Sequence, residues 1–231
     1  MRNYFTFGNF DSRDFGVFTI REGVYNAPNR AYSVVSVPGR DGDLMIDQGR
    51  MENTDVKYPC LIYRAFDSNL EGLRSALLSH HGYVRIVDSF HPDEYRLGVF
   101  MDELSVIPTT LGDGGTFDVV FNCKPQRFLI SGETAVTGTS IENPTLFPSK
   151  PLIRVTGYGT LTVGHDSVTI AQHSQSYIDI DSDIEDCYCG TANMNQYVSL
   201  DDFPELEPGI NGISKDSTIT AVEITPRWYR V

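Results

Sequence analysis

Positive charge is scarce: 18 Lys and Arg stand against 31 Asp and Glu, a formal net charge of −13. Chains that neutralise phosphates need clustered basic surface, so this balance argues against a nucleic-acid binder and against a basic membrane-surface helix. Long apolar runs are also missing, none approaching the ~18 residues of a spanning helix. The opening Met1-Arg-Asn-Tyr-Phe5 leads into no apolar stretch of secretory type. The chain is therefore expected to be made in, and at first to stay in, the cytosol. Cysteine is sparse, with four residues at 60, 123, 187 and 189. They form neither a C-x-x-C pair nor part of a finger with spaced histidines. A bridge between Cys187 and Cys189, on one strand face, would be strained, and zinc would need two further ligands. Reduced, structural thiols are expected, with no metal and no cofactor. Catalytic signatures are lacking as well: no G-x-S-x-G elbow, no H-E-x-x-H and no phosphate loop occurs. His80, His81, His91, His165 and His173 fall near turns or a helix end. The sequence points away from an enzyme.

What is present is aromatic and β-prone. The 231 residues include 13 Phe and 12 Tyr and are 40% hydrophobic, too apolar for a disordered chain. Strand patterns occur at 15–20, 32–37, 56–66, 83–87, 95–101 and 117–123. Between Val37 and Leu44 the turn sequence Pro38-Gly-Arg-Asp-Gly42 reads as a hairpin. One segment has helical spacing instead: Leu70, Leu73 and Leu77 recur at i, i+3 and i+7. Ser68-Asn-Leu-Glu71 reads as a capping box and Gly82 as the stop, so a helix is expected over 68–81. Gly132 to Ser149 is rich in Thr, Ser, Gly and Pro and reads as a junction. Beyond it come short strands only, spaced as in a sandwich or barrel. The organisation expected is a β domain with one helix over 1–132, a linker over 133–149 and a β-sandwich over 150–225. Residues 226–231 then form a terminal strand that can return to the first domain.

Two patterns invite chemistry and are better explained otherwise. Asp179, Asp181 and Asp183 match the first positions of a calcium loop, but Ile184 and Gly190 occupy its Gly and Glu positions. A strand with an acidic solvent face is the expected structure. Tyr158, Tyr177, Tyr188, Tyr197 and Trp228 could stack on a sugar, but core and edge packing of a sandwich short of Leu is the favoured reading.

An ordered set of short blocks resembles the distal tail proteins (Dit) of long-tailed phages and related prophages. It begins with Tyr25-Asn-Ala-Pro-Asn-Arg30, Val37-Pro-Gly-Arg-Asp-Gly42 and Asp47-Gln-Gly-Arg-Met-Glu-Asn53. It continues through Phe121-Asn-Cys-Lys-Pro-Gln-Arg127, Asn143-Pro-Thr145, Lys150-Pro-Leu-Ile153, Asp181-Ser182, Asp186-Cys-Tyr188 and Asn193-Met-Asn195. It closes with Asp202-Phe-Pro204, Pro208-Gly209 and Pro226-Arg-Trp228. The resemblance implies a mainly β fold, an N-terminal β domain with one helix followed by a galectin-like β-sandwich. It implies a structural hub at the distal tail tip of the virion, assembled in the host cytoplasm. Six copies would form a ring around a central channel, joining the tail tube protein to a tail-associated tip protein and, in some members, holding receptor-binding proteins. DNA would pass the channel without specific binding, and no membrane is involved. Met51 and Tyr229 stand where other aromatics are frequent, and no large inserted sugar-binding module is present. The competing readings are a carbohydrate-binding module for the host cell wall and, more distantly, a cell-wall hydrolase. Ring surfaces are expected at polar turns flanking long strands: Arg40 and Asp41 in the hairpin turn, then Arg50, Glu52 and Asn53.

Overall fold

Period-two burial separates the strands that build a core from those that do not. The computed structural model describes residues 2–22, 26–63, 65–108 and 113–231, so Tyr25 and Arg64 of the segments above lie outside the described residues. The chain divides into two units, Met1–Arg127 with Val231, and Phe128–Arg230. The first opens with strands β1 (Phe5–Phe7), β2 (Phe10–Asp11), β3 (Val17–Thr19), β4 (Arg30–Val35), β5 (Leu44–Met51) and β6 (Thr54–Tyr63). Helix α1 (Phe66–Leu78) follows, then β7 (Val84–Asp88), β8 (Glu94–Phe100), β9 (Val106–Pro108) and β10 (Gly114–Leu129).

The main sheet runs β2-β1-β7-β8-β10-β6-β3, with β9 also on β10. Strand β6 alternates strictly, turning Val56, Tyr58, Cys60 and Ile62 inward while the intervening side chains face out. Strand β10 answers with Phe117, Val119, Phe121 and Cys123. Phe5 stacks on Tyr58 at 5.5 Å between ring centroids, and Phe7 on Phe121 at 4.8 Å. Leu70, Leu73 and Leu77 of α1 enter this same core. The helix starts two residues before the expected Ser68 and ends at Leu78 rather than residue 81. The capping box does not form. Ala65 precedes the helix in the left-handed region at φ 43°, and the Ser68 hydroxyl donates to Ala65 O at 3.1 Å instead of accepting.

The second unit contains β11 (Ser140–Asn143), β12 (Leu152–Gly157), β13 (Gly159–Val163), β14 (Asp166–Ile170) and β15 (Ile178–Asp181). It continues with β16 (Asp186–Cys189), β17 (Ala192–Asn193), β18 (Val198–Leu200), β19 (Gly209–Lys215), β20 (Ile219–Thr225) and β21 (Tyr229–Arg230). Two five-stranded sheets, β11-β19-β13-β14-β18 and β17-β16-β15-β12-β20, share one core and make a β-sandwich. Ile141, Leu161, Val163, Val168 and Ile170 face Ile153, Val155, Ile178, Ile180 and Ile224 across it. The fold is mainly β, one unit with a helix and one sandwich.

Residues 133–149 are not a linker. Strand β11 pairs with β19, and Ile141 is buried in the sandwich core. Asn143, fully buried, accepts from Thr145 N–H and Oγ1 and donates to the carbonyls of Phe147 and Leu206. That amide gives the polar, Pro-containing stretch a fixed loop shape. The segment after β20 also closes on the sandwich: Arg227 N–H donates to Gly132 O, and Leu129 N–H donates to Trp228 O, both at 2.8 Å.

Candidate assembly interface

Turn chemistry builds an arm from β4 and β5. Gly39 and Gly42 take φ of 79° and 78°, where a Cβ is disfavoured. Arg40 N–H donates to Val37 O at 3.2 Å within that turn. The strands run back antiparallel with Val35 opposite Leu44, Val34 opposite Met45, Ser33 opposite Ile46 and Tyr32 opposite Asp47. Directly opposed residues share a face, and successive residues alternate. One face therefore carries Tyr32, Val34, Met45 and Asp47; the other carries Ser33, Val35, Leu44 and Ile46. Arg30 Nη1 pairs with Asp47 Oδ2 at 3.2 Å, and Gln48 Nε2 donates to Ser33 Oγ at 2.8 Å.

Beyond the buried Ala31, neither face is covered by the described residues. Met45, Val34 and Ile46 are 60%, 58% and 50% exposed, and Tyr32, Val35, Val37 and Leu44 are exposed with them. Among the described residues no third strand joins this ribbon. An isolated two-stranded hairpin is marginal in water. Apolar surface on both faces and open backbone on both edges are features that a partner chain covers.

The residues expected from sequence divide between tip and root. Arg40 and Asp41 lie in the exposed turn; Arg50 is on β5, and Glu52 just beyond it. The Glu52 backbone N–H donates to Asn29 O at 2.8 Å and closes the root. The side chains of these four are exposed. Asn53 behaves differently: its Nδ2 donates to Tyr83 Oη at 2.6 Å and to Asn122 Oδ1 at 2.7 Å. Sequence reasoning missed the apolar residues of the arm. The signal was present in Val34-Val35 and Leu44-Met45-Ile46, where consecutive apolar positions leave no polar face for solvent.

In the second unit the acidic strand is corrected. Asp179 and Asp181 are only 3% and 4% exposed, although they point away from the sandwich core. Arg154 covers Asp179 with two hydrogen bonds of 2.7 and 2.8 Å, while its guanidinium lies over the Tyr177 ring. Arg227, in the left-handed region at φ 57°, makes two bonds of 2.6 and 2.8 Å to Asp181. Burial pushes the Asp181 carboxyl up, but hydrogen bonding to and attraction by Arg227, with the backbone of residues 183 and 184, hold it below the ordinary range. Most of the aromatic residues are engaged too: Trp228 is in the core, Tyr188 Oη donates to Asp181, and Tyr197 lies against His173, whereas Tyr158 is exposed.

A cleft of about 490 Å³ on the sandwich is lined by Asp166, Asp201, Asp202, Glu205 and Glu207 beside Lys150. Burial raises the Glu205 carboxyl, opposed by Lys150. Among the described residues no three His, Cys, Asp or Glu side chains converge as metal ligands do. The four thiols are unpaired. Burial pushes Cys60 upward, Cys123 to about 12 and Cys187 to about 11, which keeps these three protonated and unreactive.

No protein-family model matches the chain, and no curated protein matches it in sequence. Solved structures do. SPP1 Dit (gp 19.1), described as a paradigm of hub adsorption apparatus in phages infecting Gram-positive hosts, superposes with a TM-score of 0.69 at 13% identity over 100% of both chains. A chain of the phage P2 baseplate in its activated conformation with Ca gives a TM-score of 0.51 at 10% identity over 97% of each chain. The same baseplate with Sr gives 0.51 and 10%, covering 99% of this chain and 98% of that one. This chain, with its helix-bearing β unit and its sandwich, thus has a full-length structural counterpart: the fold is that of Dit, the distal tail protein of long-tailed phages.

Proposed function

We propose that the protein is a structural hub of a phage tail tip, without catalysis. Six copies form a ring around a channel that joins the tail tube protein to a tail-associated tip protein, at the distal end of the virion. The observation that carries this reading is the arm. Its apolar residues on both faces stay exposed among the described residues, and full-length similarity to a hub protein supplies a reason for them. A stable protein interface buries about 1,200–2,000 Å² in total, and a ribbon laid on a neighbour can contribute both faces and an edge. Arg40 and Arg50 suit this role because the bulk of the chain is acidic and presents them with opposite charge. DNA passes such a channel best where the wall is neutral or negative, since phosphates slide past it rather than bind. Receptor-binding proteins are further partners of the sandwich unit.

Light scattering on the purified protein tests the assembly. A particle of six times the 25.8 kDa protomer mass, with a central channel in electron micrographs, is expected. A protomer-sized species at all concentrations up to the millimolar range would overturn it. A glycan array separates this reading from a cell-wall-binding module, which would retain sugars that a hub does not.

A further inference from the structure

From the geometry at the root of the arm we infer that Asn53 is a positioning residue, one that fixes the direction in which the ribbon leaves the sheet rather than touching a neighbour itself. The inference rests on the assembly reading above and deepens it. Asn53 lies in the short connection between β5 and β6, where the arm rejoins the main sheet. An exposed amide at such a position ordinarily faces solvent. Here both amide protons are used, on the Tyr83 hydroxyl at 2.6 Å and on the Asn122 side-chain carbonyl at 2.7 Å. Those two partners come from elements far away in sequence, the approach to β7 and the middle of β10.

Each partner is itself held. Asn122 Nδ2 donates to Asp55 Oδ1 at 2.8 Å, the residue directly opposite it in the β10–β6 register. The Tyr83 ring carries the Lys124 ammonium 5.3 Å from its centroid. The other leg of the arm is tied separately, by Glu52 N–H to Asn29 O at 2.8 Å and by Thr54 Oγ1 to Asn26 O at 3.4 Å. A ribbon tied only through its backbone legs can swing about them; a side chain anchored at two further points removes that freedom. Rigid presentation lowers the ordering entropy lost on association, so a preset arm binds its neighbour more tightly than a swinging one.

The experiment measures arm direction and assembly independently. Nitroxides are placed by Asp41→Cys at the tip and Asp67→Cys on the body, in a Cys189→Ser background, and distances are read by pulsed electron resonance on dissociated protomers. One narrow distance distribution is expected with Asn53 and a broad one with Asn53→Ala, at unchanged melting temperature. Tyr83→Phe, which deletes only the hydroxyl, should broaden the distribution less. The double variant should be no broader than Asn53→Ala alone, because both act through one bracket. Assembly of Asn53→Ala should need about tenfold more protomer, the equivalent of one or two hydrogen bonds. Equal distance widths with and without the amide, or additive effects of the two substitutions, would overturn the inference. A wild-type protein that never assembles would sink the ring while leaving the distance test decisive for the bracket.

Discussion

Strands β5 and β6 are neighbours in sequence and opposites in use. In β6 every second side chain is buried, whereas β5 is exposed along nearly its whole length although Leu44, Met45 and Ile46 are as apolar as anything in β6. Both pair antiparallel, β6 with β10 on one edge and β3 on the other, β5 with β4 alone. The difference is that β6 also has a core beneath it and β5 has none. Apolar residues in this chain therefore fall into two populations, one packed in the protomer core and one left exposed among the described residues.

That division can be tested by substitution, beginning with the largest loss of protomer stability. Leu73 is fully buried in the first core, so Leu73→Ala should cost roughly 2–5 kcal/mol in urea unfolding. A loss below about 0.5 kcal/mol, within the range of surface changes, would mean that the helix stripe supports no core. Next comes the covered acidic face of the sandwich, where Arg227→Ala strands a buried carboxylate and should cost about 3 kcal/mol. Because the folded Asp181 carboxyl lies below its unfolded value, the stability it adds is complete above the ordinary carboxylate range and is lost as the pH falls through the folded value. Asp181→Asn should accordingly flatten the acid limb of the stability profile; an unchanged slope would count against the pairing.

The arm should show the reverse behaviour. Val34→Ser with Met45→Ser should move protomer stability by no more than about 0.5 kcal/mol yet abolish assembly. A large drop in melting temperature would place these side chains in a protomer core after all. The smallest effect is expected from reductant and chelator, neither of which should shift the melting temperature. A shift with EDTA alone would reveal a metal that the cysteine spacing did not suggest.

Local signals were legible in sequence where one element contains both cause and effect. The Leu70, Leu73, Leu77 stripe and the Pro38–Gly42 turn were of this kind. The helix start was not, because the left-handed Ala65 and the reversed Ser68 hydroxyl depend on how the chain arrives from β6. The Ser- and Pro-rich stretch before residue 150 looked like a linker because composition reports solvation, whereas one buried amide, Asn143, decides its shape. For the proposed assembly surface, the sequence reading named polar turn residues and passed over the apolar arm. Taken singly, Val34 and Ile46 resemble core residues; only the runs Val34-Val35 and Leu44-Met45-Ile46, which leave a ribbon no polar face, set them apart. Asn53 was named for contact and serves as an anchor because Tyr83 and Asn122 reach it from 30 and 69 positions away.

Gly132 has a consequence for how the protein is made. A Cβ there would stand 2.4 Å from Trp228 N, so the opening turn of the sandwich accepts only a bare backbone beneath the Arg227-Trp228 corner. Leu129 and Trp228 belong to one core, and Val136 bonds Ile224 in both directions. The sandwich is thus closed by pairing its earliest-synthesised segment with its latest. During translation the first unit has all but one of its residues available long before that pairing becomes possible. The sandwich must wait with Leu129 and Ile141 unburied until residue 228 emerges. Such long-range closure is slow and leaves sticky strands exposed meanwhile. Stalling or truncation just short of Trp228 should yield a folded first unit carrying an aggregation-prone tail.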